Sequence, residues 1–287
     1  MKQLNLFIEL IRLKKPIGFM LLFWPCAWGL TLAYDFSDNL NNYFFYLTLF
    51  FLGSVLMRSA GCIMNDIFDK DFDKKVSRTK ERPITSGKVS IKLGLIYVFF
   101  LCLLALLVLL NFNFYTIIFA LGSMPLAFSY PLMKRYTYWP QLFLGITFNY
   151  GLVLGWICIK NQVDIVPVVF YLGAIFWTLG FDTIYGYQDI KDDEIIGIKS
   201  TSIKFKKNPK LFLIICYLTF IISLIVVGFF MKFDFLFYLF ISIPVLHLFF
   251  YQIYKFDYED PKNSLKIFKS NNVLGGIILL NIMIGKI

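Results

Sequence analysis

The stretch RSAGCIMNDIFDKDFDKKVSRTKERPITSG, residues 58–87, is an apolar helix that runs directly into a cluster of acids. At 100° per residue, three carboxylates, a carboxamide and a guanidinium share one helix face, and they belong to Asp66, Asp69, Asp73, Asn65 and Arg58. Asp71 points away from that face. Carboxylates this close repel one another unless a cation lies among them, and hard oxygen ligands with room for water suit Mg²⁺. The stretch therefore predicts a magnesium site at the end of an apolar helix.

The composition is typical of an integral membrane protein. Of the 287 residues, 59% are hydrophobic and 16% are charged, whereas a soluble domain carries about 25% charged residues. The net charge of +10 comes from Lys and Arg in the connections between apolar segments. Membrane topology explains this pattern better than nucleic-acid binding does. The five cysteines are scattered singly and His247 lies in an apolar segment, so we expect packing roles for them. No obligate protein partner is indicated.

Nine apolar segments follow a short amphipathic head, and each is close to the ~20 residues that cross a bilayer. Lys and Arg outside these segments lie almost entirely on the side of the N-terminus, which predicts that this side is cytoplasmic. No cleavable signal and no Arg- and Ser-rich transit segment is evident, so we expect a bacterial cytoplasmic membrane. The predicted fold is one all-α, multi-pass bundle over residues 1–287. The nine segments are placed at 16–34, 43–64, 91–110, 114–132, 138–159, 165–185, 211–230, 233–254 and 271–287.

A second acidic cluster occupies the stretch FDTIYGYQDIKDDEIIGIKSTSIKF, residues 181–205. The side chains that fall within about 100° of Asp189 on a helix are Asp182, Tyr185, Asp192 and Asp193. An ionised carboxylate near the bilayer boundary, such as Asp182, costs several kcal/mol unless it is compensated, so it is a functional candidate. Both acidic faces lie on the cytoplasmic side, where they could converge and hold two Mg²⁺ around a diphosphate.

Basic and aromatic side chains occur where an isoprenoid diphosphate would need them. Arg78, Lys80 and Arg82 follow the first acidic cluster, and each also serves as a topology determinant. Arg binds phosphate or carboxylate through paired hydrogen bonds, Lys acts as a point charge, and aromatic faces stabilise an allylic cation. Ionising the allylic C–O bond needs charge neutralisation but no protein nucleophile. The candidate substrate-binding residues are Asn65, Arg58, Arg82, Tyr130, Lys134, Arg135, Tyr185 and Lys199.

These motifs resemble the UbiA superfamily of intramembrane aromatic prenyltransferases. Its NDxxDxxxD motif is similar to the run from Asn65 to Asp73, and its DxxxD motif is similar to the run from Asp189 to Asp193. The resemblance extends from the first apolar segment to the last, through RLKKPIGFMLLFWP, MRSAGCIMND, RTKERPITSG, YPLMKRYTYWPQ, GFDTIYGYQDIKDDEIIGIKST and FKSNNVLGG. One departure is Gly186, where the family commonly has Ala, and we expect this loss of a methyl group to matter little.

The resemblance implies a nine-helix bundle with a central cavity capped by cytoplasmic loops. It implies Mg²⁺-dependent transfer of a long-chain polyprenyl group to the 3-position of 4-hydroxybenzoate, as in ubiquinone biosynthesis. Asp192 would support the site, and Arg135 would hold the acceptor carboxylate or the diphosphate. The residues that the resemblance assigns to Mg²⁺ are Asn65, Asp66, Asp69, Asp73, Asp189 and Asp193.

Two alternatives remain open. A member of the same superfamily could use dihydroxynaphthoate, homogentisate or haem as the prenyl acceptor; the MKRYT and GIKST stretches favour 4-hydroxybenzoate by resemblance. A cation-coupled transporter also carries intramembrane acids. The acids of this chain lie at the cytoplasmic ends of predicted helices rather than deep within them, which argues against a transporter.

Overall fold

The computed structural model describes residues 2–286, and every regular element in that range is helical. The first and last residues of the predicted domain, and with them the end of the predicted span 271–287, lie outside the described residues. The α-helices in chain order are α1 Lys2–Leu10, α2 Ile17–Ala33, α3 Leu40–Phe68, α4 Lys70–Asp73, α5 Ile91–Leu109, α6 Phe114–Gly122, α7 Met124–Ser129, α8 Pro140–Lys160, α9 Ile165–Gly186, α10 Ile190–Ile196, α11 Thr201–Lys204, α12 Pro209–Met231, α13 Phe235–Phe240, α14 Ser242–Val245 and α15 Pro261–Lys286. A 3₁₀ segment, Tyr130–Arg135, follows α7, and a π-helical segment, Leu246–Ile253, follows α14.

The predicted multi-pass, all-α fold is confirmed. Within residues 2–286, eight helical segments are long and apolar enough to cross a membrane, and the shorter α2 adds a ninth apolar helix. Two of the eight are interrupted: one runs through α6, α7 and the 3₁₀ segment, and the other through α13, α14 and the π segment. The predicted start of the last span at residue 271 is wrong, because α15 begins at Pro261. Proline suits the first helical turn. The residues that follow Pro261 are polar, so a count of apolar residues did not detect the first turns of α15.

The two acidic clusters do not lie on continuous helices, which corrects the predicted helical faces. Helix α3 ends at Phe68. The next residue, Asp69, adopts φ −94° and ψ 1° and leads into the short helix α4. Similarly, α9 ends at Gly186 and Asp189 is the residue before α10. The first cluster nevertheless lies inside the protein, since Asp66 and Asp69 are only 1% and 2% exposed.

Close contact between α2 and α8 forms the centre of the bundle. A side chain at Gly155 would lie 2.6 Å from the backbone nitrogen of Leu30, so only glycine allows the two backbones to approach this closely. Beside this contact, the buried Trp28 ring packs on Trp177 and Phe170, with ring centroids 5.1 Å and 5.4 Å apart. This aromatic core fixes α9, and therefore the second acidic cluster, against α2.

A buried polar network joins α9 to the C-terminal helices. Asn271 on α15 accepts hydrogen bonds through Oδ1 from Trp177 Nε1 at 2.9 Å and from Gln252 Nε2 at 3.0 Å. Tyr217 on α12 donates to Gln252 Oε1 at 2.6 Å. His247 contacts the same glutamine, its Nδ1 lying 3.3 Å from Gln252 Nε2, which agrees with a packing role for this histidine. The network satisfies polar groups where lipid offers no hydrogen bonds.

Candidate active site

The structure brings the two acidic clusters together at one end of the bundle. Arg78, in the connection after α4, donates from Nε to Asp189 Oδ1 at 2.9 Å and from Nη2 to Asp189 Oδ2 at 2.5 Å. The neighbouring backbone N–H of Ser77 donates to Asp192 Oδ2 at 3.1 Å. The connection that follows the first cluster therefore binds the second through a two-point Arg–carboxylate contact and a backbone hydrogen bond.

A second link comes from the 3₁₀ segment. Lys134 Nζ lies 2.6 Å from Asp69 Oδ2, and the Lys134 carbonyl accepts a hydrogen bond of 3.1 Å from the backbone N–H of Lys199. The segment between α7 and α8 thus contacts the first cluster with a side chain and the region after the second cluster with its backbone. Both clusters and this segment surround one polar region.

The acids of the first cluster share two guanidinium groups. Asp66 Oδ1 accepts from Arg12 Nη2 at 2.5 Å and from Arg82 Nη1 at 3.1 Å. The same Arg82 nitrogen donates to Asp73 Oδ2 at 2.7 Å. Both carboxylates are nearly inaccessible to solvent, so these charge-assisted bonds compensate the cost of burying them.

Four of the predicted metal ligands are paired with bases rather than gathered into a cage, and these are Asp66, Asp69, Asp73 and Asp189. Over residues 2–286, no three His, Cys, Asp or Glu side chains lie close enough together to hold one metal ion. In the same range, the buried Oδ1 of Asp69 has no hydrogen-bond partner. Burial raises the pKa of this carboxyl group above its ordinary value, although the nearby Lys134 opposes the shift. Burial and the adjacent Asp189 charge raise the pKa of Asp193 to about 6. An orphaned carboxylate oxygen and a disfavoured carboxylate charge both fit a site that receives a hard cation.

An apolar cavity of about 230 Å³ opens beside this polar region. Its walls come from α2, α3, α5, α6, α7 and α8, and along α3 it extends from Leu49 to Gly61, a rise of about 18 Å. Arg58 is its one charged lining residue in the described chain. The Arg58 guanidinium lies 5.6 Å from the centre of the Phe148 ring, and its buried Nε has no hydrogen-bond partner within residues 2–286. Tyr130 also lines the cavity.

Two predicted basic residues lie beside the acids without pairing with them. Arg135 is exposed, donates to the carbonyl of Phe68 at 2.6 Å and lies 5.3 Å from the centre of the Phe72 ring. It therefore caps the end of α3. Lys199 donates through Nζ to the carbonyl of Tyr136 at 3.2 Å. Among the described residues, neither side chain makes a salt bridge to an acidic cluster.

The remaining candidates lie at the polar region. Tyr185 is half-buried, with Arg78 5.6 Å from its ring centre and the Phe268 ring centroid 4.5 Å away. Asn65 is half-buried next to the buried Asp66.

Sequence reasoning missed Arg12, and it noted Arg78 among the bases after the first acidic cluster without selecting it as a site residue. Arg12 belongs to the head before the first span, and its contact with Asp66 joins residues 54 positions apart. Arg78 pairs with Asp189 across 111 positions. The similarity of the stretches RLKKPIGFMLLFWP and RTKERPITSG to the family was the only available signal for these regions, and Arg12 begins the first of them.

Comparisons with known proteins agree with this architecture. The model of the UbiA prenyltransferase family matches residues 22–273. The mitochondrial 4-hydroxybenzoate polyprenyltransferase of Bos taurus is 42% identical over 287 residues, which cover 100% of this chain and 76% of the relative. The 4-hydroxybenzoate geranyltransferase 2 of Lithospermum erythrorhizon is 40% identical over 289 residues, covering 100% of this chain and 92% of the relative.

Solved structures show the same fold at low sequence identity. The apo structure of a UbiA homolog from Aeropyrum pernix K1 has a TM-score of 0.76 and 21% identity, covering 93% of this chain and 98% of that one. A UbiA homolog from Archaeoglobus fulgidus bound to GPP and Mg²⁺ has a TM-score of 0.74 and 18% identity, covering 98% of both chains. With the family model matching most of its length and two curated relatives similar over all of it, the chain belongs to the UbiA prenyltransferase family.

Proposed function

We propose that the chain transfers a polyprenyl group from polyprenyl diphosphate to the 3-position of 4-hydroxybenzoate, the reaction used in ubiquinone biosynthesis. The observation that carries this proposal is the adjacency of two compartments. A polar region lined by both acidic clusters and their basic partners adjoins an apolar cavity that holds one charged residue, Arg58. A diphosphate joined to a hydrocarbon tail matches this division, and the names of the full-length relatives supply the aromatic acceptor.

The first cluster and the second would each contribute oxygen ligands to Mg²⁺. Bound there, Mg²⁺ would neutralise the charge that develops on the leaving diphosphate. The unpartnered Oδ1 of Asp69 and the raised pKa of Asp193 support this assignment. So does the family member from Archaeoglobus fulgidus whose structure contains GPP and Mg²⁺. The proposed ligands are Asn65, Asp66, Asp69, Asp73, Asp189 and Asp193.

The basic side chains would bind the anionic parts of both substrates. Arg82 and Lys134 already contact the first cluster, and the remaining N–H donors of both side chains can bind phosphate oxygens. Arg58 has a free Nε at the cavity wall, which supports binding of the acceptor carboxylate next to the prenyl chain. Arg135 and Lys199 would bind the outer side of the diphosphate.

The reaction needs no protein nucleophile. The allylic C–O bond of the donor breaks, and both bonding electrons leave with the diphosphate. The ring carbon ortho to the phenol oxygen supplies the electron pair of the new C–C bond, and loss of the ring proton restores aromaticity. The faces of Tyr130, at the cavity wall, and Tyr185, beside Arg78, would stabilise the allylic cation while the apolar cavity excludes water.

The protein is a multi-pass membrane protein, and its orientation is part of the proposal. The excess of Lys and Arg lies on the side of both acidic clusters, so the positive-inside rule places the reaction on the cytoplasmic side. Several full-length relatives carry the word mitochondrial in their names, so the bacterial cytoplasmic membrane expected from the sequence stays a prediction. Likewise, we propose that the whole chain folds as one domain around the contact between α2 and α8.

The test is product formation in membranes that contain the chain, supplied with labelled 4-hydroxybenzoate, a polyprenyl diphosphate and Mg²⁺. We expect prenylated hydroxybenzoate that disappears when EDTA removes the metal. Geranyl diphosphate is included as a second donor because one relative is named a geranyltransferase. If product forms only with dihydroxynaphthoate, homogentisate or haem, that compound and not 4-hydroxybenzoate is the acceptor. Absence of product with every acceptor, in membranes where the protein is inserted, would refute the transferase proposal.

A further inference from the structure

The turn after α1 holds an arginine where glycine is usual. The backbone N–H of Leu13 donates to the carbonyl of Ile8 at 3.2 Å, and that of Arg12 donates to the carbonyl of Glu9 at 3.0 Å. These two bonds form the Schellman motif that ends many helices, in which the left-handed position is most often Gly. Here Arg12 occupies it with φ 56°. A residue with a Cβ is disfavoured in this conformation.

Arg12 differs from the other non-glycine residues with positive φ. Within residues 2–286 these are Asn161 and Lys232, both exposed at helix ends. The Arg12 side chain is 24% exposed and reaches Asp66, whose side chain is 2% exposed. The disfavoured backbone conformation thus accompanies a long-range bond into the candidate active site.

Apolar packing fixes the turn that carries this arginine. Leu10 and Ile11, directly before it, are 0% and 9% exposed and belong to the same hydrophobic cluster as Ala60 and Ile63 of α3. The end of α1 is therefore docked on the helix that carries the first acidic motif. This docking places Arg12 beside α3, where its guanidinium reaches Asp66.

The contact also controls how Arg82 is shared. Asp66 Oδ1 accepts from both Arg12 and Arg82, and Arg82 Nη1 donates to Asp73 as well. Two guanidinium groups balance two buried carboxylates in this chain. Without Arg12, Arg82 would face two carboxylates alone and would be drawn towards Asp66, which leaves Asp73 without a fixed partner.

We propose that Arg12 is a positioning residue for the donor diphosphate, acting through Asp66 to hold Arg82 on Asp73. The inference rests on the proposed function, because it assigns Asp73 and Arg82 to the donor site. Arg12 need not touch the substrate. Its effect is expected in donor binding, and it requires the carboxylate charge of Asp66.

The test is Arg12→Gly, which removes the guanidinium and retains the left-handed turn, since glycine favours that conformation. We expect the KM for the donor diphosphate to rise about tenfold or more, which is the loss expected for one charge-assisted contact, with the KM for the acceptor unchanged. Lys232→Gly is the matched control, because it places glycine at another left-handed helix end that is exposed. It should leave both KM values unchanged.

A double-mutant cycle separates positioning from general structural damage. In an Arg82→Gln background, Arg12→Gly should have little further effect on the donor KM, because the arginine that Arg12 positions is absent. The thermal shift caused by geranyl diphosphate with Mg²⁺, measured on the same variants, gives a readout besides turnover. An unchanged donor KM in Arg12→Gly, or an equal loss in both backgrounds, would overturn the inference. Lack of product from the wild type would instead refute the proposed function, and an undiminished thermal shift in Arg12→Gly would then still overturn the role of Arg12.

Discussion

Replacement of Gly186 by alanine, the residue that the family commonly has there, should destabilise this protein. A methyl group at position 186 would collide with Ser202 Oγ and would lie 3.6 Å from Gln141 Nε2. Ser202 is fully buried, and its hydroxyl donates to the carbonyl of Thr183 at 2.7 Å. The space that an alanine methyl would fill is occupied here by this hydroxyl. The expectation that the missing methyl group matters little for function stays a prediction.

The size of the effect follows from the bond that must move. Displacing Ser202 Oγ leaves a buried donor and acceptor unsatisfied, at a cost of about 1–3 kcal/mol. Alanine in place of glycine within a helix offsets about 1 kcal/mol of that. We therefore expect a net destabilisation centred on about 1 kcal/mol and no larger than about 2 kcal/mol, and each kcal/mol lowers the melting temperature by about 2–4 °C for a large domain. Because Gly186 ends the helix that precedes Asp189, turnover should fall as well.

The assay is thermal unfolding of the purified protein in detergent, together with turnover, for Gly186→Ala, Ser202→Ala and the double variant. In the double variant the collision with the hydroxyl is gone, and the new methyl lies 3.3 Å from the Cβ of residue 202 and 3.6 Å from Gln141 Nε2, so this variant should be no less stable than Ser202→Ala. Gly122→Ala is the matched control, because a methyl group there meets no atom within 4 Å. Stability of Gly186→Ala equal to that of the wild type, or additive losses in the double variant, would refute this reasoning.

Three further predictions test the site. Asp69→Asn and Asp189→Asn should each abolish prenyl transfer while the protein still inserts, whereas Asp71→Asn, at a carboxylate that is 90% exposed, should retain activity. Wild-type turnover in Asp69→Asn or Asp189→Asn would contradict the metal assignment. Arg135→Ala should raise the apparent KM for donor or acceptor several-fold, because the arginine caps the end of α3 at the acidic motif, and unchanged kinetics would remove Arg135 from the site. Phe112→Ala should shift donor preference towards longer prenyl chains, measured by competition between two donors, because Phe112 lines the cavity and packs against Phe50 with ring centroids 4.7 Å apart; an unchanged preference would show that this ring does not limit tail length.

The apolar spans could be predicted because they depend on local properties. A run of about 20 apolar residues is long enough to cross a bilayer whatever its neighbours are. Eight of the nine predicted spans accordingly agree with the helices to within a few residues. The exception is α15, in which the polar residues after Pro261 are helical but do not look like membrane sequence. Hydropathy detects helix segments that contact lipid and does not detect polar helix turns outside the membrane.

The acidic motifs could also be located, but not their exact shape. The spacing of Asp66, Asp69 and Asp73 predicted one shared helix face, and all three side chains are buried in the structure. The helix nevertheless ends at Phe68, so a turn, not a continuous helix, places Asp73 beside Arg82. Periodicity cannot show this, because a short turn and a helix can direct residues at these spacings to the same side.

The sequence by itself therefore determined the membrane class, the family resemblance and the positions of the two acidic clusters. Only the tertiary structure decided which base meets which acid. Lys134 contacts Asp69, whereas Arg135 and Lys199 donate to backbone carbonyls, and Arg12 and Arg78 enter the site from 54 and 111 residues away along the chain. The physical reason is that a side-chain period defines a direction around one helix, whereas an ion pair requires two atoms within about 4 Å, and that distance depends on how the helices pack.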